Sequence, residues 1–141
     1  MTPPQFPRRG THDEKPSPSR LLAILGRKGY VDVCVDPRVF DALREEWRCV
    51  KCYCNPPWSR KDAFVYRAVR MARGRIVALL LPLDPTTRWF RVLLAANPII
   101  IVPMWRMGYA RYPWMLAVLD GGETVRIVFA RTWSELEKAI P

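Results

Sequence analysis

Val50-Lys51-Cys52-Tyr53-Cys54 runs directly into Asn55-Pro56-Pro57-Trp58, and the order of the segments on its C-terminal side decides the fold. Val50 to Cys54 reads as a strand, and the two prolines stop it, because proline cannot donate to a ladder. From Ala63 to Arg73 the residues Phe64, Val65, Ala68, Val69 and Ala72 share one helical face. Arg75 to Leu81 (RIVALLL) is then a continuous apolar run, the pattern of a parallel strand covered on both faces. Strand, turn, amphipathic helix and buried strand make one βαβ unit, which requires a parallel pair.

Outward from this unit the chain keeps alternating. Tyr30 to Val35 reads as a strand broken by Asp36-Pro37, with a helix expected around Val39 to Leu43. Before it, Ser17 suits a helix cap and Pro18 a first helical position, and Leu21, Leu22 and Leu25 give a stripe that ends at Gly26 and Gly29. Residues 1–16 are rich in proline and charge without apolar periodicity and are expected to be a flexible arm, leaving 17–141 as one domain. Downstream, a helix is expected over Thr87 to Ala96 and a buried strand over Ile99 to Val102. Met104 to Ala130 reads as antiparallel strands, and Thr132-Trp133-Ser134-Glu135 has capping-box spacing for a final helix. The expected architecture is an α/β fold in three layers: a mainly parallel open sheet with antiparallel strands at the C-terminal end. In such sheets ligands bind beyond the carboxyl ends of strands, which points to the positions just after Val35, Cys54 and Leu81.

Composition narrows the function. Lys and Arg number 23 against 13 Asp and Glu, so the chain carries +10 with a pI near 10.0 and favours a polyanionic partner, nucleic acid first. No apolar run is long enough to span a bilayer and no secretory h-region opens the chain, so the expected location is the cytoplasm, or the host cytoplasm for a virus-encoded protein. Two Asn, one Gln and 14 Pro fit a thermophile. Hydrolytic chemistry finds little support: His12, the single histidine, lies in the arm, and no Gly-x-Ser-x-Gly or P-loop occurs.

Asn55-Pro56-Pro57-Trp58 carries the chemistry. An exocyclic amine on a base is a poor nucleophile because its lone pair is delocalised into the ring. Two acceptors, the Asn55 side-chain oxygen and the Pro56 carbonyl, can take both amine hydrogens and favour a pyramidal nitrogen. Pro56 and Pro57 keep that backbone rigid, and Trp58 offers a flat surface for a base swung out of its helix. Basic Arg60 and Lys61 beside the motif, with Arg106 and Arg111 among later aromatics, are candidate phosphate contacts. Cys49 and Cys52, with Cys34 and Cys54, have weak zinc spacing; no second Cys-x2-Cys pair accompanies them, so no metal is expected and buried thiols or a Cys49–Cys52 or other disulfide are the better readings.

Several segments in order resemble the phage-type, Dam-like DNA adenine-N6 methyltransferases, from about Asp13 to Asp120. Asp13-Glu14 with Ser17-Pro18 and Leu21-Leu22 resembles the family's opening Asp-Glu-Trp-x-Thr-Pro segment. Val31-Asp32-Val33-Cys34-Val35-Asp36 resembles its Leu-Asp-Val-Cys-Ala-Asp strand, and Cys54-Asn55-Pro56-Pro57-Trp58-Ser59 its Cys-Asn-Pro-Pro-Tyr-Ser segment. Leu80-Leu81-Pro82 with Asp84, Thr87, Arg88, Trp89 and Phe90 is similar to its Leu-Leu-Pro strand end and the helix next to it. The resemblance implies a Rossmann-like fold and methyl transfer from S-adenosylmethionine to adenine N6 in DNA. It implies catalytic roles for Asn55, Pro56, Pro57 and Trp58, cofactor contacts from Ser17, Pro18, Asp32, Cys34, Asp36 and Asn55, and nucleic-acid contacts that include Arg88. Departures are Lys15 for Trp, Ser17 for Thr, Trp58 for Tyr, a short stretch between Asp36 and Asn55, and no Phe-x-Gly-x-Gly loop. Alternatives from the same residues are an inactive DNA-binding relative, or methylation of RNA adenine, cytosine N4 or a protein glutamine. At this length little room remains for target recognition, so a short recognition sequence or a homodimer is expected.

Overall fold

The computed structural model describes residues 16–105 and 113–141. Residues 1–15 of the expected arm, with Asp13-Glu14, and Arg106 and Arg111 lie outside the described residues. In chain order the elements are α1 (Ser19–Arg27), β1 (Val31–Asp32), β2 (Lys51–Cys54), a 3-10 turn (Trp58–Arg60), α2 (Lys61–Met71), β3 (Ile76–Pro82), α3 (Arg88–Ala95), β4 (Ile99–Pro103), β5 (Trp114–Leu119), β6 (Arg126–Ala130) and α4 (Trp133–Ala139). The six strands form one sheet in the order β1-β2-β3-β5-β4-β6.

β1, β2 and β3 pair in parallel, as the βαβ reading requires. β5 inserts antiparallel between β3 and β4. The expectation of antiparallel strands at the C-terminal end holds for β5 but not for β6, which crosses to the outer side of β4 and pairs with it in parallel. Five strands therefore point the same way, and their carboxyl ends share one edge of the sheet. β3 and β5 are buried almost throughout, which is why both read as unbroken apolar runs.

Strand side chains alternate between two apolar clusters. Cys52, Cys54, Val77, Leu79, Leu81, Met115 and Ala117 pack with Phe64, Val65 and Ala68 of α2 and Trp89, Phe90 and Leu93 of α3. Tyr53, Ala78, Leu80, Ile101, Leu116 and Val118 pack with Leu21, Ile24 and Leu25 of α1 and Leu136 of α4. Phe64, Val65 and Ala68 recur at helical spacing, so α2 lies flat on the sheet and sets the exit direction of the Asn-Pro-Pro turn.

Three local expectations are corrected. Ser17 does not cap α1, and Pro18 occupies the cap position rather than the first turn, with no side-chain cap hydrogen bond. The strand expected over Tyr30 to Val35 pairs only at Val31 and Asp32, because beyond Asp32 its carboxylate accepts the Cys34 amide and turns the chain off the ladder. Around Val39 to Leu43 there are turns instead of a helix. There the Asp36 side chain accepts from the Arg38 amide and the Asp41 side chain from the Leu43 amide, and such local bonds compete with a helical ladder. The capping box of α4 forms on one side: Thr132 Oγ1 accepts from the Glu135 amide at 3.1 Å, while the Glu135 carboxylate takes the Arg131 amide.

Candidate functional site

β2 ends at Cys54, and Asn55 is the first residue off the sheet. Next to it the loop after β1 folds back over the sheet edge, and the two form a cleft of about 770 Å³. That volume is in the range of small-molecule sites. Asp32, Cys34, Asp36 and Asp41 line one wall, Ser17 and Leu22 a second, and Asn55, Pro57, Arg60 and Phe64 a third. Of the residues expected from the sequence to hold a cofactor, Ser17, Asp32, Cys34, Asp36 and Asn55 meet here, and Pro18 is not among the lining residues.

Ser17 takes a different role from the cap expected of it. Its hydroxyl meets the Tyr53 hydroxyl at 2.7 Å and accepts from Asn55 Nδ2 at 3.0 Å. Tyr53 is buried on the α1 side of the sheet, so it is a fixed post, and Ser17 links it to the Asn55 amide. With Nδ2 donating to Ser17, the acceptor of the amide is Oδ1. The sequence motifs do not single out Tyr53; strand alternation, which puts it on the face opposite Cys52 and Cys54, is the signal that could have found it.

The cleft is acidic within a basic chain. Asp32 lies exposed on the edge strand β1 and lines the cleft, yet neighbouring atoms crowd its carboxyl and desolvation pushes its pKa up against the lowering effect of the Cys34 amide. Asp36 behaves oppositely: the Arg38 guanidinium, at 2.7 Å, and the Arg38 amide hold its carboxyl below the usual aspartate range. Cys34 is joined to Cys54 by a disulfide that ties the ends of β1 and β2 together at the cleft, and Cys49 pairs with Cys52. The sulfurs that invited a zinc reading are all in these two bonds.

The remaining motif residues face elsewhere. Pro56 is buried, and Trp58 is half-buried against the apolar cluster on the α1 side rather than in the cleft. Lys61 Nζ donates to the Trp58 carbonyl at 2.7 Å, a bond that helps to hold the turn. Arg60 and Arg88 are exposed, the first at the cleft and the second at the start of α3, after the carboxyl end of β3. Among the described residues no cluster of metal-ligating side chains occurs and no helix is long and apolar enough to cross a membrane.

No curated protein and no solved structure matches the chain. A family model does, over residues 38–140, and its description is DNA N-6-adenine-methyltransferase (Dam). The match takes in the Asn55-Pro56-Pro57-Trp58 turn, α2 and every strand from β2 onward, so the chain belongs to the Dam family of DNA N-6-adenine-methyltransferases.

Proposed function

We propose that this chain transfers a methyl group from S-adenosylmethionine to the N6 amine of adenine in DNA, on a Rossmann-like methyltransferase sheet. The observation that carries the reading is the Asn55 amide, held by Ser17 at the wall of an acidic cleft beyond the carboxyl ends of β1 and β2. Family membership supports the reaction class and the substrate.

The cleft residues fit the cofactor. S-adenosylmethionine supplies a methyl group on a cationic sulfonium, and it also carries an ammonium and a ribose diol. Asp32, Asp36 and Asp41 offer carboxylates to cationic and hydroxyl groups, and Ser17 adds a hydroxyl. Val33, Val35, Phe40 and Phe64 offer apolar surface for a purine. Asp32 is the residue best suited to a hydroxyl or ammonium, because a partner there relieves the desolvation that raises its pKa.

On the substrate side, Asn55 Oδ1 and the Pro56 carbonyl accept the two amine hydrogens and steer the nitrogen lone pair toward the cleft. Ser17 and Tyr53 act as positioning residues, since they anchor the Asn55 amide to a tyrosine buried on the α1 side of the sheet. Trp58, on the α1 side of the turn, is where a base swung out of the duplex would stack. The step needs no strong base, because the methylated nitrogen becomes acidic and loses its proton to acceptors at the site.

The test is methyl transfer to a duplex oligonucleotide, with N6-methyladenine identified by mass spectrometry. Wild type should produce it. Asn55→Ala should lose roughly 10²–10³ in kcat, about 2.7–4 kcal/mol of transition-state stabilisation by analogy with oxyanion-hole groups, with cofactor binding kept. Absence of transfer by wild type to DNA, together with transfer to RNA or a peptide amide, would redirect the substrate assignment.

A further inference from the structure

The edge of the sheet that carries Asn55 holds, at its far end, a patch the reaction does not use. β4 and β6 are parallel to each other, and β5 is antiparallel to both β3 and β4, so β2, β3, β4 and β6 all end at this edge. Trp105 lies just after β4, and Arg131 and Trp133 just after β6. The Trp105 and Trp133 rings meet edge to face with centroids 5.4 Å apart, and the Arg20 guanidinium lies over the Trp133 ring at 5.3 Å. Together with Arg131, Thr132 and Ser134 they line a shallow depression. Arg20 belongs to the first turn of α1, three residues after Ser17, and both indoles pack on the apolar cluster that also carries Trp58.

The bland reading is that Arg20 and Trp133 merely clip α1 to α4. That would need one ring and one guanidinium. The patch instead pairs two half-buried indoles with two exposed guanidinium groups in a chain of net charge +10, on the face where the proposed target base enters. A cation–π contact with an indole does not consume the N–H donors of a guanidinium, which suit phosphate oxygens. Glu135 draws on Arg131 through an ion pair at 3.2 Å, so Arg20 is the stronger of the two ligands.

We propose that Arg20, Trp105, Trp133 and Arg131 form a second DNA contact that grips the sugar-phosphate backbone of duplex flanking the target adenine; this rests on the DNA methyltransferase reading. Four inter-strand steps separate β2 from β6, which at sheet spacing is about 19 Å. At about 3.4 Å of rise, that is at most about five or six base pairs from the target, because Arg20 is only three residues from Ser17 beside Asn55. Contact through phosphates contributes affinity and register without base identity.

Two hairpin-closed duplexes test this with the full chain: a short one with about three base pairs on either side of the adenine and a long one with about ten, scaled to that reach. Binding is measured by fluorescence anisotropy across a salt titration. Wild type should bind the long duplex more tightly and with a steeper salt slope. Arg20→Gln and Arg131→Gln should each lower the long-duplex slope, by up to about 0.9, and leave the short duplex and the melting shift induced by S-adenosylmethionine unchanged. Arg20→Lys should keep most of the slope. Variants that leave the long-duplex slope untouched, or weaken both duplexes equally, overturn the second contact while leaving the methyltransferase reading in place. Failure of wild type to bind either duplex overturns both.

Discussion

At the scale of single residues, two side chains near the motif divide the work and make separate forecasts. Trp58 is half-buried, so packing and base stacking both claim it. As a stacking surface, Trp58→Ala should weaken capture of the extruded base by about 1–3 kcal/mol, and Trp58→Tyr, which keeps a π-face, should retain activity. A pure core role would instead show as about 3–5 kcal/mol of lost folding stability in the Ala variant. Activity and the unfolding midpoint, measured on the same two variants, separate the two. Asp32 forecasts a pH effect. Desolvation raises its folded-state pKa above the unfolded value, so it binds a proton too readily in the free protein and costs stability as pH rises through that range. A cationic ligand needs the ionised form, so cofactor affinity should fall on acidification at a pH above that of an ordinary aspartate. Calorimetric titration against pH should show this limb in wild type and not in Asp32→Asn.

Among the elements, the loop from Val33 to Val50 is the one that regular structure does least to hold. It joins a two-residue edge strand to β2, and turns built on Asp36 and Asp41 replace the expected helix. Trp47 anchors it from inside, fully buried with its indole N–H donating to the Ala42 carbonyl at 2.8 Å. The Cys34–Cys54 bond closes this loop across a sequence separation of 20. In the chain-entropy view such a cross-link stabilises by about 3 kcal/mol. Reduction should therefore lower the unfolding midpoint and weaken cofactor binding, because the loop forms one cleft wall. The Asn55 amide should remain placed, since Ser17 and Tyr53 hold it without the disulfide. The check is the melting temperature with and without reductant, repeated on Cys34→Ser/Cys54→Ser, in which the reductant effect should shrink to that of Cys49–Cys52 alone.

Across the whole molecule, the end of the sheet away from Asn55 adds an ion pair to its apolar packing. Asp120, after β5, takes two guanidinium nitrogens of Arg126 at 2.6 and 2.9 Å, and Arg126 also donates to the Asn97 carbonyl that precedes β4. Gly122 accommodates this: a Cβ there would run into the Arg126 guanidinium. The Arg126 bond holds the Asp120 carboxyl below the usual aspartate range. A depressed folded pKa contributes stability above the unfolded pKa and loses it as pH falls through the folded one. Asp120→Asn should therefore lower the unfolding midpoint at neutral pH and flatten its acid limb, and Gly122→Ala should mimic the loss at neutral pH. How much of the molecule is legible in its sequence depends on the range of each interaction. The Asn55-Pro56-Pro57 turn, the α2 stripe and the apolar runs of β3 and β4 are written in adjacent residues, where proline chemistry and the two side-chain periods act locally, so the βαβ core, the end of β2 and the motif can be read directly. What only the tertiary structure decided involves residues far apart in the chain. Ser17 reads as a helix cap because local chemistry allows it, and only the packing of α1 over Tyr53 brings it to Asn55. The direction of β6 depends on which side of β4 it joins, and the pairing of Cys34 with Cys54 on β1 lying beside β2, because no local pattern encodes contacts between segments brought together by burial.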